Sequence, residues 1–345
     1  MMKIAIDVMG GDNAPLAPVH GGFLAAEAYG VEVVLVGPEG EISRILKENG
    51  WEQPKQGKLT IVHAPDVVDM HDDPARVLRQ KPDSSMAVAL TLVRDGGADA
   101  VVSAGSTGAL LSGATLICKR IRGIRRGALA PLIPSASGQT MLVDAGANTD
   151  CTPEYLLQFA FLGASYMEKI NGVKNPRVGL VNNGAEDSKG DALRKETYQL
   201  RKAAGEAGRI NFVGNVEARD VPLGACDVAV CDGFAGNVML KTIEGTAKFM
   251  SAELKKVFKA NLATKLGYLA CKKGMDDFRA LFDQDAIGGA PFLGIAHPVI
   301  KAHGSSNEIA FMNAARQAIA YTESGMIDEI KNNIDVMTVE KHLEK

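Results

Sequence analysis

Short runs of apolar and β-branched residues, KIAID, VEVVLVG, KLTIVHA, ADAVVSAG, TMLVDAG, RVGLVNN, INFVG and DVAVCDG, alternate with longer stretches of helical patterning along the first two thirds of the chain. A run that is apolar at successive positions must be covered on both faces, and strands separated by a helix's length of chain run parallel. The alternation therefore predicts an α/β protein: a three-layer α/β/α arrangement around a largely parallel, doubly wound sheet. In such architectures ligands sit beyond the carboxyl ends of the strands.

Those ends share one chemistry. KIAID closes on Asp7 and runs into Gly10, Gly11 and Asp12; ADAVVSAG runs into Ser106, Thr107 and Gly108; TMLVDAG runs into Asn148. RVGLVNN leads to a Gly-bounded turn carrying Lys189, and DVAVC leads to Asp232, Gly233, Gly236 and Asn237. One such turn is punctuation; five that share a sheet edge line a cleft. In SAGSTGALL, residues 103 to 111, Gly105 permits the turn and Ser106 caps the helix, which leaves N–H groups at the helix start facing outward. Cations stand near turns of the same type. Arg79 and Lys81 precede Ser84 and Ser85, Lys241 lies one turn beyond Asn237, and His303 with Ser305 and Ser306 opens a later helix. A small oxyanion such as phosphate suits this set.

Much conventional chemistry is missing. No two of the 37 glycines are separated by a single residue, so G-x-G-x-x-G does not occur, and no Gly-Lys-Ser/Thr exists for a nucleotide loop. There is no H-E-x-x-H, no Cys/His pair at zinc spacing and no G-x-S-x-G elbow. His71-Asp72-Asp73, with Asp66 and Asp69, reads as an exposed acidic loop rather than a metal site. No cofactor and no metal are expected. A net charge of −3 argues against general nucleic-acid binding. Five scattered cysteines without a C-x-x-C pair read as reduced thiols of a cytoplasmic protein. The chain enters a strand at Lys3 without a signal-peptide pattern, and no run reaches the roughly 20 apolar residues of a membrane span. Without a clear linker, residues 1–345 read as one domain. Within it, residues 245–282 form a protruding basic amphipathic helical segment, with Phe249, Val257, Leu262, Leu266 and Leu269 at helical spacing among nearly unopposed lysines. Such a segment serves a membrane surface, an acidic partner or a dimer contact. A second basic run, Lys119 to Arg126, follows the SAGSTGALL helix.

The stretches DVMGGDNAP (7–15), RQKPDSSM (79–86), SAGSTGALL (103–111), DAGANTDC (144–151), EDSKG (186–190), FVGNVE (212–217), CDGFAGNVMLK (231–241) and HGSS (303–306) resemble, in order and across essentially the whole chain, the bacterial PlsX family. These are acyl-acyl-carrier-protein:phosphate acyltransferases of phospholipid synthesis. The chain departs from the family pattern at Asn183-Gly184-Ala185, where Ile-Gly-Glu is more usual, and at Thr149 and Gly127, where Val and Pro are.

The resemblance implies phosphorolysis of a fatty acyl thioester: acyl-acyl-carrier protein and inorganic phosphate give acyl phosphate and free carrier protein. It also implies an isocitrate/isopropylmalate dehydrogenase-like fold, a homodimer, peripheral membrane association and a downstream acyl-phosphate:glycerol-3-phosphate acyltransferase. The parts fit that reaction, because phosphate is already anionic at neutral pH and a thiolate leaves with little acid assistance. Lys189 and Lys241 are expected as charge partners of phosphate or oxyanion, and His303 as a proton donor to the departing thiol. The amides at 106–108 and 233–237 are expected as oxyanion donors, with Asp7 and Asp232 orienting their turns. A phosphate acetyltransferase acting on short acyl-CoA, a dehydrogenase on the related fold and a non-catalytic membrane-associated scaffold are the competing expectations.

Overall fold

The computed structural model describes residues 1–337 apart from Met70, Ala75 and Asp283, and the backbone alone of Gln284. Each apolar run forms a strand. In chain order the strands are β1 (Lys3–Asp7), β2 (Glu32–Gly37), β3 (Lys58–His63), β4 (Ala100–Ser103), β5 (Ala128–Leu129), β6 (Leu132–Ser135), β7 (Gly138–Val143), β8 (Arg177–Asn182), β9 (Asn211–Glu217), β10 (Val228–Val230), β11 (Ala290–Leu293) and β12 (Val299–Lys301). They pair into two ladders, β3-β2-β1-β4-β12-β11-β5 and β6-β7-β10-β8-β9. Pairing is parallel from β3 through β12 and from β7 through β9, while β11, β5 and β6 pair antiparallel at the edges. The expected α/β architecture is thus present, with its sheet divided in two. The chain crosses between ladders at Ala130 and Pro131. Ala130 N donates to Pro291 O at 3.1 Å on one side, and Pro131 O accepts from Leu142 N at 3.0 Å on the other.

Period-two burial covers both faces of each ladder. In β1, Ile4 and Ile6 pack in one apolar cluster with Phe311 of the helix Glu308–Glu323, while Ala5 packs in a second with Met86 and Leu90 of the helix Ser85–Arg94. In the other ladder, Val143 and Val228 join Leu156 and Phe159 of the helix Pro153–Lys169, whereas Leu142 and Ala229 meet Met239. The first cluster is common to both ladders, running from Ile4 to Tyr166 and Met337. Gly21 makes one close crossing possible: a Cβ there would lie 2.4 Å from Phe311 Cβ, so the helix Leu16–Tyr29 rests directly on the helix Glu308–Glu323.

The basic amphipathic segment is a helical hairpin. Its first helix, Gly233–Lys259, starts inside the fold at the end of β10, well before the expected Gly245; its second is Leu262–Leu281. The turn is fixed by a reciprocal cap, in which Asn261 Oδ1 accepts from Thr264 N at 2.9 Å and Thr264 Oγ1 accepts from Asn261 N at 3.1 Å. No side chain of the second helix is buried, and Leu262 is 79% exposed.

Candidate active site

The turn after β1 is built around a buried carboxylate. Asp7 accepts hydrogen bonds from Ser85 Oγ at 2.6 Å, Ser103 Oγ at 2.7 Å and Met9 N at 3.2 Å. Burial pushes its pKa up, while these donors and the Lys301 ammonium pull it back. A Cβ on Gly10 would sit 2.6 Å from Gly105 N, so the turns after β1 and β4 touch backbone to backbone. Gly11 adopts φ +98° against Gly304 O, and Asp12 N donates to that carbonyl at 2.7 Å. Asn13 Nδ2 donates to both Ser305 O and Ser306 O at 3.1 Å. Three strand ends separated widely in sequence, those of β1, β4 and β12, are therefore joined into one wall.

Behind that wall lies a cavity of about 350 Å³, into which Thr107, Asn237, Lys241, Lys301 and His303 all project. Lys301, the last residue of β12, is only 9% exposed and its Nζ donates to Ala104 O and Ala302 O. An ammonium has three N–H groups, so two carbonyls hold it and one donor is left over. Burial, joined by the nearby Lys241 charge, lowers its pKa to about 8 against the pull of Asp7 and Asp12. Lys241 stands about two turns along the helix Gly233–Lys259 and pairs with Glu244 at 2.8 Å. His303 Nδ1 accepts from Ser305 N at 3.2 Å and lies 2.8 Å from Ser305 Oγ. Partial burial and then the Lys241 charge push the imidazole below its usual pKa. The neutral ring, with Nδ1 occupied as an acceptor, carries its proton on Nε2.

The helix Thr107–Gly113 widens into one π-helical turn, Ala114–Cys118, and is capped by Ser106 Oγ, which accepts from Ala109 N at 3.5 Å. The amides of Ser106, Thr107 and Gly108 have no protein acceptor among the described residues. The second expected donor set differs. Gly233 N donates to Asn148 O at 2.7 Å, Ala235 N to Asp232 Oδ1 at 2.8 Å and Gly236 N to Asp232 O at 2.9 Å, so these amides are already used. Asn148 and Asp232 hold this junction together. Asn148 N and Nδ2 both donate to the buried Asp144, and Asp232 pairs with Arg194, whose role the sequence did not announce. Burial pushes the Asp144 carboxyl up, opposed by hydrogen bonds from Ala147 and Asn148.

Other expected site residues stand apart. Lys189 is exposed in the turn after β8 and does not line the cavity; its amide donates to Glu186 O at 3.1 Å. Arg79 is exposed, and Lys81 is engaged by Asp72 at 2.6 Å and Val67 O at 3.0 Å. Ser84 caps the helix Ser85–Arg94, while Ser85 is drawn to Asp7. Ser305 orients His303; Ser306 is buried and its Oγ has no hydrogen-bond partner among the described residues. Lys301 is the main residue that sequence reasoning passed over. Its signal was a lysine closing the apolar run Val299-Ile300 directly ahead of HGSS.

Comparison with solved structures defines the class first. The fold is shared with a phosphotransacetylase from Staphylococcus aureus, with a TM-score of 0.57 at 16% identity over 91% of this chain and 94% of that one. It is also shared with 4-hydroxythreonine-4-phosphate dehydrogenase from Klebsiella pneumoniae, with a TM-score of 0.51 at 12% identity over 93% and 98%. Within that class the chain belongs to the family described as fatty acid synthesis protein, which matches residues 2–329. Relatives named phosphate acyltransferase include one from Clostridium acetobutylicum, 47% identical over 97% of this chain and 99% of its own length. Another, from Thermoanaerobacterium thermosaccharolyticum, is 44% identical over 97% and 98%. The resemblance carried by the strand-end motifs is a family membership.

Proposed function

We infer that this chain is a phosphate acyltransferase that moves a fatty acyl group from acyl-carrier protein to inorganic phosphate. The observation that carries this is the convergence of Lys301, Lys241 and His303 on one cavity in a chain of this family. A phosphate oxygen attacks the thioester carbonyl carbon, a tetrahedral oxyanion forms, and the C–S bond breaks to release the carrier thiolate, which takes a proton from solvent. No protein nucleophile is required, so catalysis consists of placement and charge stabilisation, worth roughly 7–11 kcal/mol and about 2.7–4 kcal/mol per oxyanion donor respectively.

In this account Lys301 anchors phosphate from the cavity floor through its remaining N–H. Lys241 closes over it from the helix Gly233–Lys259. His303 presents Nε2–H to the oxyanion as a hydrogen-bond donor, a role that fits its lowered pKa better than proton donation. The free amides of residues 106–108 supply further donors. The exposed turn holding Lys189 is not assigned to the reacting centre. Phosphotransacetylases share the fold, so a short acyl-CoA is the competing substrate, and acetyl-CoA turnover discriminates the two.

The hairpin fits peripheral membrane association, with Leu262, Leu266 and Leu269 exposed beside Lys265, Lys272 and Lys273. Among the described residues no helix is long and apolar enough to cross a membrane. A cytoplasmic homodimer handing acyl phosphate to an acyl-phosphate:glycerol-3-phosphate acyltransferase at the membrane is the setting we propose. The reaction is tested by thiol release from palmitoyl-acyl-carrier protein with hydroxylamine present. Release and hydroxamate that both require phosphate support it, whereas release without phosphate identifies a thioesterase.

A further inference from the structure

The chemistry of the cavity leaves the second basic run unused. That run holds five cations in eight residues, Lys119, Arg120, Arg122, Arg125 and Arg126, and all five are exposed. Its backbone is fixed from beneath. Ile121 and Ile124 are buried in the apolar cluster that spans both ladders, and the fully buried Gln158 accepts from Arg125 N at 2.8 Å and donates to Gly123 O at 3.0 Å. Ile121 N donates to Gly294 O at 3.0 Å, and Ala296 N to Lys119 O at 2.9 Å. Lys119 itself holds φ +66° with ψ 162°, a backbone state that non-glycine residues rarely adopt. Of the five cations, Arg125 alone has a carboxylate partner among the described residues, Glu154 at 3.0 Å, while Arg126 lies over the Tyr155 ring. We propose that this rigid basic run is the docking surface for the acidic carrier protein that delivers the thioester. The proposal rests on the phosphate acyltransferase reading and gives that reading its partner surface.

The partner follows from residue type, charge and reach. Four of the five cations are arginines, whose planar guanidinium takes a carboxylate through two hydrogen bonds and is more weakly hydrated than an ammonium, so the run suits a protein face rich in Asp and Glu. Leu116, 50% exposed three residues ahead of Lys119, adds an apolar contact inside a charged rim. A membrane surface is the poorer match: no apolar side chain is exposed from 119 to 126, whereas the hairpin sets three exposed leucines beside its lysines. A second copy of this chain meeting the run about a two-fold axis would set cation against cation. Reach fits as well. The run follows the helix that leaves the cavity wall at Thr107 and ends at Cys118, about 16 Å away at about 1.5 Å per residue. Past its other end, Gly127 O accepts from Asn148 Nδ2 at 2.8 Å and Leu129 lines the cavity. A carrier protein holds its thioester on a phosphopantetheine arm of about 14 bonds, which extends about 18 Å at about 1.3 Å per bond. A carrier seated on the run therefore brings the carbonyl carbon within reach of Lys301 and His303.

The test uses the full chain and compares phosphate-dependent thiol release from palmitoyl-acyl-carrier protein with that from palmitoyl-pantetheine, which has the arm without the protein. Arg120→Glu combined with Arg122→Glu is expected to cut the carrier-to-pantetheine ratio of kcat/KM by at least about tenfold, through the KM for the carrier. A carrier variant with surface acidic residues changed to Lys should regain most of that loss against the double variant and serve the wild type poorly. An unmoved ratio overturns the proposal. So does a ratio that falls instead with Lys265→Glu and Lys272→Glu, which would seat the carrier on the hairpin. Binding of unacylated carrier protein needs no turnover and separates this claim from the reaction. Wild-type binding that weakens between about 20 and about 200 mM salt and is abolished in the double variant supports the surface even where phosphorolysis fails, and equal binding by both overturns it. A double variant that keeps the carrier but loses anionic liposomes assigns the run to the membrane and overturns it also.

Discussion

At the scale of single residues, the site depends on charges held out of water. Lys301 is an ammonium below about pH 8 and a neutral amine above it, because burial favours the uncharged form. Only the ammonium attracts phosphate, so kcat/KM for phosphate is expected to fall as pH rises through about 8, approaching tenfold per unit. Lys301→Arg, which stays charged throughout, should remove that limb from the pH profile even if its bulk lowers the overall rate. A limb unchanged in Lys301→Arg would assign the titration elsewhere. Asp7 is the second buried charge, and Asp7→Asn replaces a carboxylate that accepts from two hydroxyls and an amide. The variant is expected to be destabilised by about 1–3 kcal/mol, read as a lower denaturant midpoint. None of this was legible from residue type alone. Asp7 shows in sequence as the polar end of an apolar strand, but that Ser85 and Ser103 reach it from elements far along the chain is a fact of topology. Lys301 looked like any lysine, since its burial depends on β12 lying between β4 and β11.

At the scale of elements, the helix Gly233–Lys259 joins chemistry to surface. Its first turn is pressed onto the turn after β7: a Cβ on Gly236 would lie 1.9 Å from Asp144 O, and one on Gly233 would lie 2.6 Å from Asn148 O. Gly236→Ala must displace the helix start, and with it Asn237 and Lys241. A loss of about 1–3 kcal/mol is expected, together with a larger fall in phosphate-dependent turnover than in thioester binding; wild-type stability and turnover would show that the junction yields. The glycines and the Asp232 cap were readable as CDGFAGN. What was not readable is that the cap and the Asn148 carbonyl consume the amides of Gly233, Ala235 and Gly236, three of those the motif seemed to offer to an anion. Free donors remain instead at Ser106 to Gly108, where the same small-residue pattern meets no such neighbour. The hairpin's amphipathic pattern was legible from its spacing, but not its inner boundary, because the helix runs unbroken from the cavity through Gly245.

At the scale of the whole molecule, alternation of apolar runs and helical stretches was enough to predict parallel strands covered on both faces. The division into two ladders was hidden because β5 and β6 are short and cross between ladders over two residues, too little chain to show a period. One apolar cluster nevertheless spans both ladders. We therefore propose that they unfold together, as a single calorimetric transition; two resolved transitions would mean that each ladder is stable alone. The hairpin's second helix, which buries no side chain, is outside that unit. Leu262, Leu266 and Leu269 changed together to Ser should leave the transition temperature near its original value and abolish co-sedimentation with anionic liposomes, and retention on liposomes would remove the hairpin from membrane binding.

The central claim is that phosphate is held by the cationic cavity at the ends of β4 and β12, with Lys301 at its floor. The most direct test is the KM for phosphate of Lys301→Met, measured at pH 7 with saturating palmitoyl-acyl-carrier protein. Loss of one charge-assisted hydrogen bond, about 1.5–3 kcal/mol, predicts a rise of roughly 10- to 150-fold, with the KM for the thioester within about twofold of the wild-type value. A phosphate KM that does not change would contradict the account.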